Sequence, residues 1–210
     1  MDKASNHLSW LKALQRAKSN NEQLEFWRFV NIAYICSKTN TPEVDMLKFR
    51  DFHVKDNSNA YLLFSIDNRC KMFHDLTQCD KVELCWFFPL SREKFRIKCS
   101  FKSFSLKNYS DKSSADQIIG YQEFKNIWDK EIDKEEKKLF TERKPDTKTV
   151  EISAKQVDDI NDFNTPTVDD ISPNFAILAT EVQEGNEVHS KFFFNSLSGT
   201  YKICYASSCG

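Results

Sequence analysis

Glycine is scarce in this chain, which has only four glycines among 210 residues. Neither the GxGxxG fingerprint of dinucleotide-binding folds nor the GxxxxGK[ST] phosphate loop occurs in it. Both motifs need glycine because their backbones turn sharply and approach the phosphate groups closely. The sequence therefore argues against a Rossmann dinucleotide site and against a P-loop.

Paired cysteines and long apolar runs are also missing. The seven cysteines form no CxxC pair, and the four histidines do not stand at ligand spacing from them, which argues against a zinc site and leaves no metal expected. An odd number of cysteines, several within apolar runs, is typical of free thiols in a reducing compartment. The N-terminus has no apolar leader, and no apolar run is long enough to span a membrane. We expect no secretion, no membrane partner and a cytoplasmic location, with the nucleus left open.

An excess of positive charge is absent as well. The 30 Lys and Arg residues are matched by 31 Asp and Glu, which gives a net charge of -1. Nucleic-acid-binding domains are normally basic, so we expect no nucleic-acid partner. Eighteen phenylalanines supply the apolar area for a core or an interface, and 40% hydrophobic residues are typical of a globular domain.

Alternation of apolar and polar residues dominates the chain. Alternation at 44–54 and 94–106, together with apolar, β-branched or aromatic runs elsewhere, predicts strands at 24–36, 44–54, 60–66, 82–89, 94–106, 174–182, 189–195 and 200–205. Three- and four-residue apolar spacing predicts helices at 5–18, about 69–77 and 114–141. Short turns imply antiparallel pairing, and many strands without βαβ alternation suggest a barrel. We expect one mainly-β domain over 1–210 with flanking helices, in which 142–172 form an irregular connector.

Two cations follow one of these strands directly. In FSIDNRCKMF (64–73), Arg69 and Lys71 stand where the predicted strand ends and a helical turn begins. The N–H groups of a helix start favour anions, and two cations add charge-assisted hydrogen bonds. The segment therefore indicates an anion site, for a phosphate; a solvated turn is the alternative interpretation.

Four sequence blocks together resemble one protein family. They are LKFRDF (47–52), SIDNRCK (65–71), VELCWFFPLSREKFRI (82–97) and IWDKEI…LF (127–140), with a weaker match from about Glu187 to Tyr205. The blocks are similar to motifs of the pyridoxamine 5'-phosphate oxidase-like flavoproteins, in particular their fungal and cyanobacterial oxidase-like subgroup. The resemblance implies an antiparallel split β-barrel, the FMN-binding split-barrel fold, and a homodimer that binds FMN at its interface.

The resemblance also implies cofactor contacts for particular residues. Arg69 and Lys71 would contact the FMN phosphate, and Phe64 and Ser65 would lie along the flavin or the ribityl chain. Arg50 would end the strand that runs beside the flavin.

Other matching positions depart from the family pattern. Lys94 stands where the family usually has a glutamine near the isoalloxazine ring, and Asp45 stands where the oxidases have an arginine. Lys191 matches a flavin-contacting arginine, His189 matches a histidine near the substrate, and Glu187 replaces a substrate-binding arginine. Asp45 could pair with a nearby cation such as Lys48 or Lys94, and our hypothesis is that an Asp45–Lys94 pair is a self-neutralising replacement for the family's arginine and glutamine.

These departures bear on activity, because a carboxylate at Glu187 would repel a phosphorylated substrate. We therefore expect an FMN-binding protein without efficient pyridoxamine-phosphate oxidase activity, and the sequence assigns no catalytic residue. An active flavin oxidoreductase on pyridoxamine phosphate, pyridoxine phosphate or another substrate is the alternative. A non-catalytic dimeric barrel that does not hold flavin is the second alternative.

Overall fold

The chain forms five α-helices and eight β-strands in the residues that the computed structural model describes. These residues are 9–56, 59–79, 82–110, 117–141, 170–182, 188–195 and 200–207. The helices are α1 (Ser9–Ser19), α2 (Lys71–Gln78), α3 (Leu106–Ser110), α4 (Tyr121–Glu131) and α5 (Lys134–Thr141). The strands are β1 (Phe29–Ile35), β2 (Pro42–Val54), β3 (Ala60–Asp67), β4 (Val82–Phe88), β5 (Glu93–Ser105), β6 (Phe175–Val182), β7 (Val188–Asn195) and β8 (Thr200–Ser207).

Six of the strands close into a barrel. Their order is β4-β1-β2-β3-β6-β5, and β5 pairs again with β4 to complete the ring. All neighbours run antiparallel, and the β7–β8 hairpin continues the sheet from the first half of β5. The antiparallel split barrel expected from the sequence is confirmed.

The barrel interior is filled largely by aromatic rings. The ring of Phe49 lies 4.8 Å from that of Trp86 and 5.8 Å from that of Phe64. Phe88 stacks on Trp86 at 5.0 Å, and α1 covers the core with Leu14 among its buried residues. Such ring pairs contribute about 0.5–1.5 kcal/mol each beyond the area that they bury.

A second apolar core lies outside the barrel, between strands β3 and β6 and the helices α4 and α5. Phe124 and Trp128 from α4 and Phe140 from α5 pack around Phe175 of β6, with ring centroids 5.0 to 5.2 Å apart. Strand β6 is buried on both faces because it borders both cores. Trp86 and Trp128 therefore both serve as core residues, one in each cluster.

Two predicted elements differ from the structure. The segment predicted as one strand from residue 24 begins with a 3-10 helix over Glu25–Arg28, and β1 starts only at Phe29. The carbonyl of Trp27 in this turn accepts a 2.5 Å hydrogen bond from the indole of Trp86, so it is satisfied by a side chain rather than by a strand.

The predicted helix over 114–141 is two helices. They separate at Ile132, whose backbone is extended, and Asp133 then accepts a 2.8 Å hydrogen bond from the N–H of Glu136 to start α5. Helix α3 was not expected from the sequence.

Within the part of the chain that the structure describes, no helix has the length and apolarity needed to cross a membrane. The start of the predicted helix 5–18 and most of the predicted connector (142–169) lie outside that part.

We predict that Phe49→Ala lowers the free energy of unfolding by about 3–5 kcal/mol, because it opens a cavity among the rings of the barrel core. Chemical denaturation measures this loss. Phe26→Ala is the matched control, since the Phe26 side chain is 76% exposed and its loss should change stability by about 0.5 kcal/mol or less. Equal losses in the two variants would contradict this assignment of the core.

Candidate anion and cofactor site

The turn between β3 and α2 holds Arg69 against a carboxylate of its own chain. Asp67 accepts hydrogen bonds from the backbone N–H of Arg69 at 2.8 Å, from its Nε at 3.0 Å and from its Nη2 at 2.6 Å. Arg69 Nη2 also donates to the carbonyl of Leu139 in α5 at 3.2 Å. The bonds to Asp67 raise the pKa of Arg69 and fix the direction of its guanidinium.

Lys71 is the first residue of α2 and lies between two carboxylates. Its Nζ is 2.5 Å from Glu43 on β2 and 3.3 Å from Asp75 one turn further along the helix. The hydrogen bond to Glu43 is the main cause of the raised pKa of Lys71. Cys70 caps the helix, with its sulfur accepting a hydrogen bond from the N–H of Phe73 at 3.4 Å.

Asp75 is a buried carboxylate that joins this site to the end of β1. It accepts hydrogen bonds from the backbone N–H of Ser37 at 2.9 Å and from the Ser37 hydroxyl at 2.5 Å. Burial alone would raise the pKa of Asp75, but these bonds and the charge of Lys71 together lower it. The carboxylate therefore stays ionised and holds the lysine in place.

A cavity of about 620 Å³ opens beside these groups. Its lining residues are Ser37, Lys38, Arg69, Lys71, His74, Asp75 and Gln78. Three cationic side chains thus face one space, and the sequence had predicted two of them as an anion site. The residues present fit a phosphate group, although an arriving phosphate must compete with the carboxylates that already bind the cations.

Arg50 lies within strand β2, not at its end, and its side chain is covered by the helices α4 and α5, here called the helical layer. Strand β2 continues to Val54, so the expectation that Arg50 ends its strand is wrong. The pairing of β2 with β3 shifts register between Phe49 and Asp51, and this bulge places Phe49 in the barrel core and buries Arg50 as well. The extra residue was not visible in the regular alternation of the sequence.

The guanidinium of Arg50 is fully engaged by its surroundings. Its Nε donates to the Ser65 hydroxyl at 2.7 Å, Nη1 donates to the carbonyl of Glu131 at 2.8 Å, and Nη2 forms an ion pair with Glu136. Glu136 also lies 3.0 Å from Lys48 Nζ. One carboxylate of α5 therefore bridges two cations of β2.

The pKa values of both Arg50 and Lys48 are lowered by burial and by neighbouring positive charges. Burial and the neighbouring Arg28 lower the pKa of Arg50 to about 10. Burial and the charge of Arg50 lower the pKa of Lys48. A group of positive charges that destabilise each other in this way favours a negative partner.

Phe64 and Ser65 lie side by side on β3 but face different layers. The Phe64 side chain is fully buried in the barrel core against Phe49 and Phe101, so it presents no ring surface to a ligand. Ser65 faces the helical layer, where its hydroxyl accepts from Arg50.

Asp45 and Lys94 do not lie near each other within one chain. Asp45 is on β2 and Lys94 is on β5, and two strands separate β2 from β5 in either direction around the barrel. The exposed Asp45 carboxylate accepts a hydrogen bond from the N–H of Met46 at 2.8 Å. The expected pair between the two is therefore wrong for a single chain.

The remaining predicted residues belong to the C-terminal hairpin. In the backbone register, His189 pairs with Phe95 and Lys191 pairs with Glu93, which places both beside the first half of β5 and next to Lys94. Glu187 lies outside the described residues. No cluster of His, Cys, Asp and Glu suited to a metal ion occurs in the described ranges.

Sequence reasoning missed the carboxylates that hold the cations. Glu43 is distant in sequence from Lys71, and Glu136 is distant from Lys48 and Arg50. No local sequence pattern therefore predicts these ion pairs. Asp75 had a visible signal, because it stands four residues after Lys71 on one helix face. Asp133 and Glu136 also form a D-x-x-E helix start, which could have located α5.

The family comparison covers slightly less than half of the chain, in its N-terminal part. Residues 7–105 match the model of the family described as pyridoxamine 5'-phosphate oxidase, FMN-binding domain. No curated protein is similar enough to this sequence to count as a match.

Solved structures extend the comparison to nearly the whole chain. A pyridoxamine 5'-phosphate oxidase-related, FMN-binding protein from Nostoc punctiforme has 21% identity and a TM-score of 0.66, over 94% of this chain and 96% of that one. A general stress protein 26-related protein from Clostridium acetobutylicum has 9% identity and a TM-score of 0.41, over 92% and 95%. An oxidase-like protein from Listeria innocua has 8% identity and a TM-score of 0.39, over 92% and 98%.

The Nostoc structure shows that the fold is shared over 94% of the chain, and the family match adds sequence evidence for residues 7–105. Residues 7–105 of this chain therefore match the pyridoxamine 5'-phosphate oxidase FMN-binding domain family, which confirms the resemblance seen in the sequence.

Proposed function

We propose that this chain is an FMN-binding flavoprotein that holds the cofactor phosphate at the start of α2. The observation that carries the proposal is the cavity of about 620 Å³ in which Lys38, Arg69 and Lys71 converge. A family whose domain description names FMN makes this cofactor the first candidate for such an anion site.

The residues around the cavity support distinct roles. Arg69 is oriented by Asp67 and would present its guanidinium edge to phosphate oxygens, which it can bind through several N–H groups. Lys71 would add a second charge from the first turn of α2, where the helix dipole also favours an anion. Glu43 and Asp75 hold Lys71 in position before the ligand arrives.

Bound FMN would supply hydride or electron transfer, and the protein would supply binding and electrostatics. We propose that pyridoxamine-phosphate oxidase activity is inefficient, because Asp45 is an exposed carboxylate where the oxidases have an arginine. A negative charge there disfavours a phosphorylated substrate. No catalytic residue is proposed, and an oxidoreductase with another substrate is the competing function.

We also propose that the active form is a homodimer formed through the outer face of β4, β1 and β2. Exposed apolar side chains share this face, since Val44 pairs in register with Ala33 and Met46 with Asn31. Val44 is 73% exposed and Met46 is 57% exposed, and Phe29, Ile35 and Phe87 extend the patch. A contiguous apolar surface of this kind on a small domain is typical of an interface, and a second copy would cover it in a self-complementary way.

The first prediction of this proposal concerns flavin uptake. Purified protein supplied with FMN should be yellow and show the visible absorbance of oxidised flavin. Arg69→Ala and Lys71→Ala should each weaken FMN binding about 10- to 100-fold, because a hydrogen bond to a charged group contributes about 1.5–3 kcal/mol. Quenching of flavin fluorescence measures the affinity, and Lys125→Ala, which removes a surface pair with Asp129 on α4, is the control.

A colourless protein that takes up no added FMN would overturn the proposal. If Arg69→Ala and Lys71→Ala both bound FMN with unchanged affinity, the FMN phosphate would have to bind at a site other than this cavity.

The second prediction concerns turnover by the flavin-loaded protein. With pyridoxamine 5'-phosphate or pyridoxine 5'-phosphate, the flavin should stay oxidised in an anaerobic stopped-flow experiment. Rapid bleaching of the flavin would establish an active oxidase instead. Free flavin mixed with the same substrates gives the uncatalysed rate for comparison.

The third prediction concerns assembly. The double substitution Val44→Asp and Met46→Asp should convert the dimer to a monomer, because it places charges in the centre of the proposed apolar interface. Light scattering after size exclusion gives the mass. Val54→Asp is the matched control, since Val54 is also exposed on β2 but lies at its far end. A monomeric parent protein, or a dimer that survives the double substitution, would refute this interface.

A further inference from the structure

The helix α5 carries a carboxylate that occupies the second pair of cations. Glu136 lies 3.0 Å from Lys48 Nζ and forms an ion pair with Arg50 Nη2, while its neighbour Glu135 points to solvent. The Lys48 side chain is partly accessible, with an exposure of 22%, whereas the Arg50 side chain is buried, with an exposure of 1%. The arrangement is that of an anion site whose anion is part of the chain.

Space for an external ligand adjoins the same two cations. A cavity of about 500 Å³ is lined by Lys48 and Arg50 together with Lys18, Arg28 and Lys130. Glu22, Glu25, Glu131 and Asp133 also border it. A ligand in this cavity could reach Lys48 and Arg50 once Glu136 left them.

The backbone N–H of Asp133 is a second possible partner for the Glu136 carboxylate. Glu136 is the third residue after Asp133, and the Asp133 side chain already accepts a hydrogen bond from the N–H of Glu136 at 2.8 Å. In a full capping box the carboxylate at this position turns back to the N–H of the capping residue. Rotation of the Glu136 side chain toward Asp133 would therefore release the two cations while the helix start gains a bond.

The first turn of α5 is also weakly anchored. Within α5, Phe140 is the buried residue, and it lies near the C-terminal end of the helix, where its carbonyl accepts bonds from Ser172 and Asn174. The first turn contributes no buried apolar side chain. The contacts of this turn with the barrel are the ion pairs of Glu136 with Lys48 and Arg50, while Lys137 lies 5.3 Å from the ring of Trp128 on α4.

We propose that Glu136 determines anion selectivity at Lys48 and Arg50 by acting as a built-in competitor of phosphate. With its carboxylate in place, the two cations are neutralised and an external phosphate group is excluded. With the carboxylate removed, the same cations bind phosphate. This site is separate from the FMN cavity at α2, and the proposal stands or falls independently of flavin binding.

Inorganic phosphate is the probe, and the parent is the Arg69→Ala, Lys71→Ala protein, in which the α2 cavity no longer contributes. Isothermal titration should show that adding Glu136→Gln tightens phosphate binding at least about 10-fold, because a competing charge of the chain is lost. Glu135→Gln is the matched control, since it removes the same charge from the same helix at a side chain that is 83% exposed. Adding Lys48→Met to the Glu136→Gln protein should abolish the gain.

Equal phosphate affinity in the Glu136→Gln and Glu135→Gln proteins would overturn the proposal, because only general charge would then matter. A gain that survives Lys48→Met would overturn it too, since the phosphate would be bound elsewhere. Should Glu136→Gln not fold, Glu136→Asp draws the carboxylate back by one methylene group and should give part of the gain. An affinity unchanged in Glu136→Asp would then count against the proposal.

Discussion

The buried guanidinium of Arg50 joins the two layers of this molecule. The bulge in β2 turns its side chain away from the barrel core, and the hydroxyl of Ser65, the carbonyl of Glu131 and the carboxylate of Glu136 then satisfy it. A buried charge costs several kcal/mol unless it is paired in this way. The position of α4 and α5 against the barrel is therefore coupled to the pairing of one arginine, and both anion sites border these helices.

Four cations of the two sites, Arg69, Lys71, Lys48 and Arg50, are held by carboxylates of the same chain. Asp67 holds Arg69, Glu43 and Asp75 hold Lys71, and Glu136 bridges Lys48 and Arg50. Ligand binding to such sites is an exchange of one anion for another rather than a simple addition. Its free energy depends on the difference between the two, so cationic residues alone do not predict a high affinity for phosphate.

The local order of apolar and polar residues predicted most of the strands and helices. The features that it did not predict depend on strand register and on contacts between residues that are distant in sequence. Sequence pattern predicted the strands from β2 to β8. Alternation marks β2 and β5, and apolar runs mark the others, including β6, which is buried on both faces. The pattern failed at residues 25–28, where a tertiary hydrogen bond from Trp86 to the carbonyl of Trp27 favours a 3-10 turn. It also failed at Arg50, because one inserted residue changes which face each side chain takes.

The sequence likewise predicted some residues of the candidate site and not the contacts between them. Arg69 and Lys71 were found because they are adjacent in sequence, whereas the pairing of Asp45 with Lys94 was inferred without knowing that opposite barrel walls carry them. A charge substitution can be compensated only by a group within a few ångströms, and sheet order decides which groups those are. Asp45 stands two residues from Glu43 on β2, and both carboxylates add to the effect of burial in raising the pKa of Tyr34, so the charge of Asp45 lies near the anion site at α2. An anion bound there would meet the charge of Asp45 as well as those of Glu43 and Asp75.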